Sequence, residues 1–141
     1  MRFLMIVKAS RDSEAGVLPD EKLLAEMGKY NEEMLKAGVM LAGEGLQATA
    51  KGARVRFDKG KTTVQDGPFP YSDELIAGYW LIQVNSKEEA VDWARRVPFD
   101  EGEIEIRQVF EAEDFPISAD EEPGGWRDQE KRLRAEAGRG T

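Results

Sequence analysis

Cysteine and histidine are both absent from this 141-residue chain, and the two absences remove most of the usual catalytic side-chain chemistry. Without cysteine there is no disulfide, no thiolate nucleophile and no thiolate metal site. Without histidine there is no Ser-His or Cys-His dyad, no imidazole ligand, and no side chain that titrates near neutrality unperturbed. Acid–base work would fall to Asp, Glu, Tyr, Lys or Arg, with pKa values moved by burial or neighbouring charge. This residue set leads us to expect no metal and no other cofactor. Basic residues are in deficit: 20 Lys and Arg against 28 Asp and Glu leave a net charge of −8 and a pI near 4.7. That balance opposes direct nucleic-acid binding, which rests on cationic contacts to phosphate. Long hydrophobic runs are missing too. Phe3-Leu4-Met5-Ile6-Val7 stops at Lys8, far too short for a signal-peptide core or a membrane span, so the expectation is a cytoplasmic protein without membrane contact.

What remains, 40% hydrophobic and 34% charged residues, suits one globular domain with a little surplus. Phe3 to Val7 reads as a central strand. Pro19-Asp20 then starts a helix over roughly residues 20 to 37, with Leu23, Met27, Tyr30 and Met34 at helical spacing, Leu24 and Leu35 widening the stripe, and Gly38 as the stop. Val39 to Ala42 is a second strand, interrupted by Gly43-Glu44-Gly45, where a bulge or a close backbone approach to a ligand accounts for the glycines. Arg54 to Asp58 and Lys61 to Gln65 flank Lys59-Gly60 as a hairpin whose Arg and Lys residues are solvated. Ser72 to Ile76 makes one helical turn before the strand Tyr79 to Val84. Ser86 and Glu89 form a capping box for a second helix, which Pro98 ends. Glu103 to Phe110 is the last strand, with a change of phase at Val109.

The order is βαββαβ with an inserted hairpin: an α+β, ferredoxin-like plan in which both helices cover one face of an antiparallel sheet. Val55 and Phe57, Trp80 and Ile82, and Ile104 and Ile106 supply alternating apolar residues for the helix-free face. A second copy of the chain is the economical cover. From Glu111 onward acids, Pro116, Pro123 and Gly124-Gly125 mark a linker. Trp126 to Ala137 offers a short helix that carries too little apolar surface to fold alone. The domain therefore spans residues 1–115, with 116–141 as linker and helical extension.

The most distinctive segment is Asp66-Gly67-Pro68-Phe69-Pro70, a shaped loop presenting a carboxylate at a sheet end, where function commonly resides. Asp66 as an Asx-turn residue is the structural alternative. Together with Met1 to Lys8, Lys36 to Leu46, Gly78-Tyr79-Trp80 and Gly102 to Arg107, this loop resembles the YciI-related, or DGPF-domain, family of small bacterial proteins. The resemblance implies a ferredoxin-like fold pairing into a dimeric α+β barrel. It also implies a cleft for which a histidine and aspartate pair has been proposed as catalytic. Asp66 matches that aspartate, but Gln47 stands where some relatives place a histidine, so histidine-based catalysis does not carry over, whereas hydrogen bonding by Gln47 does.

Two functional classes stay open. In the first, a homodimer holds a small-molecule cleft with Asp66 and Glu44 as candidate acid–base carboxylates and Gln47, Gly67, Pro68, Phe69, Tyr30 and Tyr79 as candidate ligand contacts, Tyr71 being a further tyrosine within reach. Two carboxylates brought close would raise one pKa and supply a proton donor. In the second, a noncatalytic regulatory or interaction module associated with transcription uses the acidic linker and the basic helix bearing Arg127, Lys131, Arg132 and Arg134.

Overall fold

The computed structural model describes residues 1–116 and 125–139. The chain divides into two compact units, Met1–Val109 and Phe110–Thr141. In the first unit the elements run β1 (Arg2–Lys8), α1 (Arg11–Glu14), α2 (Glu21–Lys36), β2 (Met40–Gly45), β3 (Ala53–Asp58), β4 (Lys61–Asp66), β5 (Ile76–Gln83), α3 (Lys87–Arg95) and β6 (Ile104–Gln108). The result is an α+β unit. Four strands form an antiparallel sheet in the order β2-β5-β1-β6, while β3 and β4 pair only with each other.

Local chemistry sets the helix ends. The Asp20 carboxylate accepts from the Leu23 N–H at 2.8 Å to begin α2, and Gly38, at φ +71°, turns the chain out of it. Ser86 accepts from the Glu89 N–H at 3.2 Å to begin α3, while the Glu89 carboxylate reaches past the cap to the Asn85 N–H at 3.0 Å. The sequence reading gave no sign of α1, a single turn held by reciprocal bonds between Ser10 and Ser13.

Alternation along the strands creates two faces. Phe3 and Met5, Trp80 and Ile82, and Ile104 and Ile106 share the face that packs against Tyr30 and Met34 of α2 and Ala90 of α3. This corrects the expectation that Trp80, Ile82, Ile104 and Ile106 line the helix-free side. A period of two divides a strand into two sets without saying which set meets the helices. The opposite face carries Leu4, Ile6, Tyr79 and Leu81, all half-buried. Val55 and Phe57 do not belong to this sheet and lie exposed on the separate hairpin. On α2, Tyr30 and Met34 are buried, but Leu24 and Leu35 point to solvent, so the apolar stripe is narrower than expected.

Two local expectations also change, while the expected hairpin turn at Lys59-Gly60 holds. Strand β2 runs through Gly43-Glu44-Gly45, and its irregularity falls between Met40 and Ala42. Gly43 sits where a Cβ would come within 2.8 Å of the Trp80 ring and of the Met40 side chain, so the close approach there is to a core indole. Ser72 to Leu75, expected to begin a helical turn, forms a turn that leads into β5, with the Leu75 N–H on the Ser72 carbonyl at 3.3 Å. The hairpin turn has both Lys59 (φ +48°) and Gly60 (φ +87°) in the left-handed region, the geometry that matches strand twist.

In the second unit, Phe110 and Phe115 stack at 5.0 Å and α4 spans Trp126–Arg139. Arg134 bridges Glu111 at 3.2 Å and Glu130 at 2.5 Å. Residues 117–124, the body of the expected acidic linker, lie outside the described residues. Among those described, no helix is long and apolar enough to cross a membrane.

Candidate functional site

The loop that leaves β4 is clamped from beneath. Glu14, at the end of α1, accepts from both the Thr49 N–H at 3.1 Å and the Thr49 hydroxyl at 2.5 Å. The same hydroxyl oxygen accepts from the Phe69 N–H at 3.0 Å. Gly67 donates its N–H to the Gly52 carbonyl at 2.9 Å, and its Cα faces the Thr49 backbone so closely that a Cβ would lie 1.7 Å from that carbonyl oxygen. Gly67 is outside the positive-φ set, so the position requires small volume, not left-handed backbone. The peptide bond from Gly67 to Pro68 is cis.

With the loop pinned in this way, the Phe69 ring supports the Arg54 guanidinium, 3.9 Å from the ring centroid. Arg54, expected to be solvated, is instead half-buried. Beside this pair a cleft of about 440 Å³ opens, lined among others by Gln47, Lys51, Arg54, Phe69, Leu75 and Ile76. Its size falls in the range of small-molecule sites. Gln47 and Phe69, both singled out from sequence, meet here. Gly67 and Pro68 shape the turn behind Phe69, and Asp66, at the end of β4 opposite Ala53, is exposed.

The remaining candidates lie elsewhere. Glu44 and Tyr79 are direct register partners across β2 and β5, and Tyr79 is also opposite Ile6, which places both on the helix-free face. Tyr30 lies on the other side of the sheet, 4% exposed. It donates its hydroxyl to the Trp93 carbonyl at 2.7 Å and packs edge-on against Trp80 and Trp93. Burial pushes its phenol up to about 12. Tyr71 is half-covered by Arg11 at 4.6 Å. A second concavity, about 500 Å³ between α3 and β6, contains none of these residues. Its floor is apolar, and its rim acids Asp100, Glu101 and Glu103 are exposed. Among the described residues, no group of three or more acids is placed to hold a metal ion.

Glu14, Thr49, Lys51 and Arg54 escaped the sequence reading. Glu14 lies 35 positions from Thr49 and Thr49 lies 20 from Phe69, so no local pattern links them.

Comparison with known proteins places this geometry in a family. Residues 1–113 match the YCII-related domain. The chain belongs to the YCII-related family. An uncharacterized protein of Rhizobium meliloti (strain 1021) is 33% identical over 76 residues, a stretch covering 54% of this chain and 61% of that relative. The YCII-related match spans every element of the sheet, the Glu14-Thr49-Phe69 clamp and the cleft beside Arg54.

Proposed function

We propose that this YCII-related protein is a small-molecule-binding protein, acting in the cytoplasm as a homodimer of ferredoxin-like units that form an α+β barrel. The observation that carries the reading is the convergence of Gln47 and Phe69 on one cleft, with Phe69 held by a hydrogen-bond chain running back to Glu14. A loop fixed at both its backbone and its ring is pre-organised, which reduces the ordering cost of binding. The strand order β2-β5-β1-β6 supports a ferredoxin-like description, and the half-buried row of Leu4, Ile6, Tyr79 and Leu81 supports pairing through the helix-free face. Asp66 and Glu44 are the carboxylates available for acid–base chemistry. Both are exposed and they sit on different elements, so the reading rests on binding and not on catalysis.

Titration of labelled protein with a fragment collection tests it. Saturable amide shifts clustered on Gln47, Lys51 to Arg54 and Phe69 are expected. Shifts confined to the concavity between α3 and β6 would reject the site. Asp66→Asn keeps the size of the side chain and removes its charge, so it should alter ligand affinity while leaving the melting temperature within about 1–2 °C, a shift worth well under 1 kcal/mol in a chain of this size. A melting temperature that falls while affinity holds would make Asp66 a scaffold residue.

A further inference from the structure

Within a chain of net charge −8, the cleft beside the Asp66-Phe69 loop brings together two cations, Lys51 and Arg54, and a single acid, the exposed Glu74. Neither cation has a carboxylate within ion-pair distance among the described residues, whereas Arg134, Lys8, Arg96 and Arg107 each do. Arg54 is also held in position. Its guanidinium lies over the face of the Phe69 ring at 3.9 Å, and stacking of that kind occupies the face of the plane while its N–H donors project from the edge. Those donors make no protein hydrogen bond among the described residues. A planar fork with free donors, held on an aromatic shelf, matches the two oxygens of a carboxylate. The wall next to it is apolar: Leu75 is buried, and Leu46 and Ile76 are partly exposed at 45% and 38%.

From this arrangement we infer that the cleft recognises small amphipathic carboxylates, the anionic head on Arg54 with Lys51 adding charge, the apolar body against Leu46, Leu75 and Ile76. The inference rests on the cleft reading above and adds the chemical class of the ligand. Glu14 does not line the cleft, and its carboxylate oxygens are turned to the Thr49 N–H and hydroxyl. Glu74 is exposed, so water screens its charge. Recognition is thus a matter of placement: the acids that dominate the chain are kept off the Arg54 shelf, and the hairpin brings an arginine to it.

The test uses three probes of one shape and different charge, namely phenylacetate, phenylacetamide and phenethylamine, titrated into the labelled full chain. Phenylacetate should shift the amides of Gln47, Lys51 and Phe69 and bind at least about tenfold more tightly than either other probe. Charge-assisted bonds of this kind are typically worth a factor of roughly ten to a hundred. Arg54→Gln should weaken phenylacetate by about that factor, and Arg54→Lys, which keeps the charge and loses the fork, should fall between. Equal binding of phenylacetamide at the same amides overturns the carboxylate inference and leaves the cleft standing. Silence of those amides toward all three probes overturns both. If Arg54→Gln disturbs the hairpin amides themselves, Lys51→Gln decides: a several-fold loss of phenylacetate affinity supports the inference, and an unchanged affinity overturns it.

Discussion

A Cβ added to Gly67 would lie 1.7 Å from the Thr49 carbonyl oxygen and 2.6 Å from its carbon, both backbone atoms that cannot rotate aside. Gly67→Ala should therefore cost about 1–3 kcal/mol, the usual penalty for overpacking, read from chemical denaturation. Gly52→Ala is the control, since its nearest neighbour is 3.6 Å away, ordinary contact distance, and the change should be nearly neutral. Tyr30 makes a different residue-scale demand. Its hydroxyl donates to the Trp93 carbonyl, which also accepts from the Arg96 N–H at 3.2 Å, so Tyr30→Phe keeps the ring packing, removes one of two bonds to that acceptor and should lose roughly 0.5–1.5 kcal/mol at neutral pH. The phenol also makes stability depend on pH. Burial raises it from 10.0 to about 12, so the folded state holds its proton longer than the unfolded chain does. That contribution is fully present below pH 10 and is lost as pH climbs toward 12. Denaturation midpoints measured from pH 8 to 12 should fall less steeply for Tyr30→Phe than for the parent.

At the scale of elements, the site depends on a one-turn helix, a 3₁₀ turn and a loop held by a single hydroxyl. Thr49 lies in the turn Thr49–Lys51, and its oxygen both donates to Glu14 and accepts from Phe69. Thr49→Val preserves shape and removes both bonds. The expected loss is about 1–3 kcal/mol, with faster hydrogen exchange at the Phe69 amide and little change in the β1–β5 ladder. The other end of the loop is tied separately, by the Leu75 carbonyl to the Ala9 N–H at 2.9 Å and by Lys8 to the Asp73 carbonyl at 3.0 Å. The mutation should therefore release the Phe69 side of the loop without freeing the whole of it. The two-stranded hairpin is another matter. A lone pair of strands is marginal in water, yet Phe57 is 80% exposed and Val64 is 66% exposed, so this arm relies on its left-handed turn and on the Arg54–Phe69 contact at its base.

For the molecule as a whole, the proposed dimer makes a definite demand. A stable pairing through the helix-free face should remove about 1,200 Å² or more in total, and light scattering at micromolar concentration should return twice the chain mass. Leu81→Arg places a charge at the centre of that face, beside Leu4 in the register of β5 and β1, and should return the chain mass instead. A parent protein that is monomeric under the same conditions ends the dimer proposal.

Sequence alone determined the order and kind of the six strands and of the helices α2 and α3, because capping residues, glycine stops and period-two alternation are local signals. Asp20, Gly38, Ser86 and the turn at Lys59-Gly60 each act within four residues of where they sit. It also settled what chemistry is missing, since composition needs no fold. Which alternating set lies beneath the helices was a tertiary decision. The sets are equivalent along one strand, and only the approach of Tyr30, Met34 and Ala90 selects Phe3, Met5, Trp80 and Ile82 for the core. The site divided the same way. Phe69 and Gln47 stood out in sequence, but Arg54 became a binding group, and Tyr30 a core residue, only through contacts between distant segments that no local spacing records.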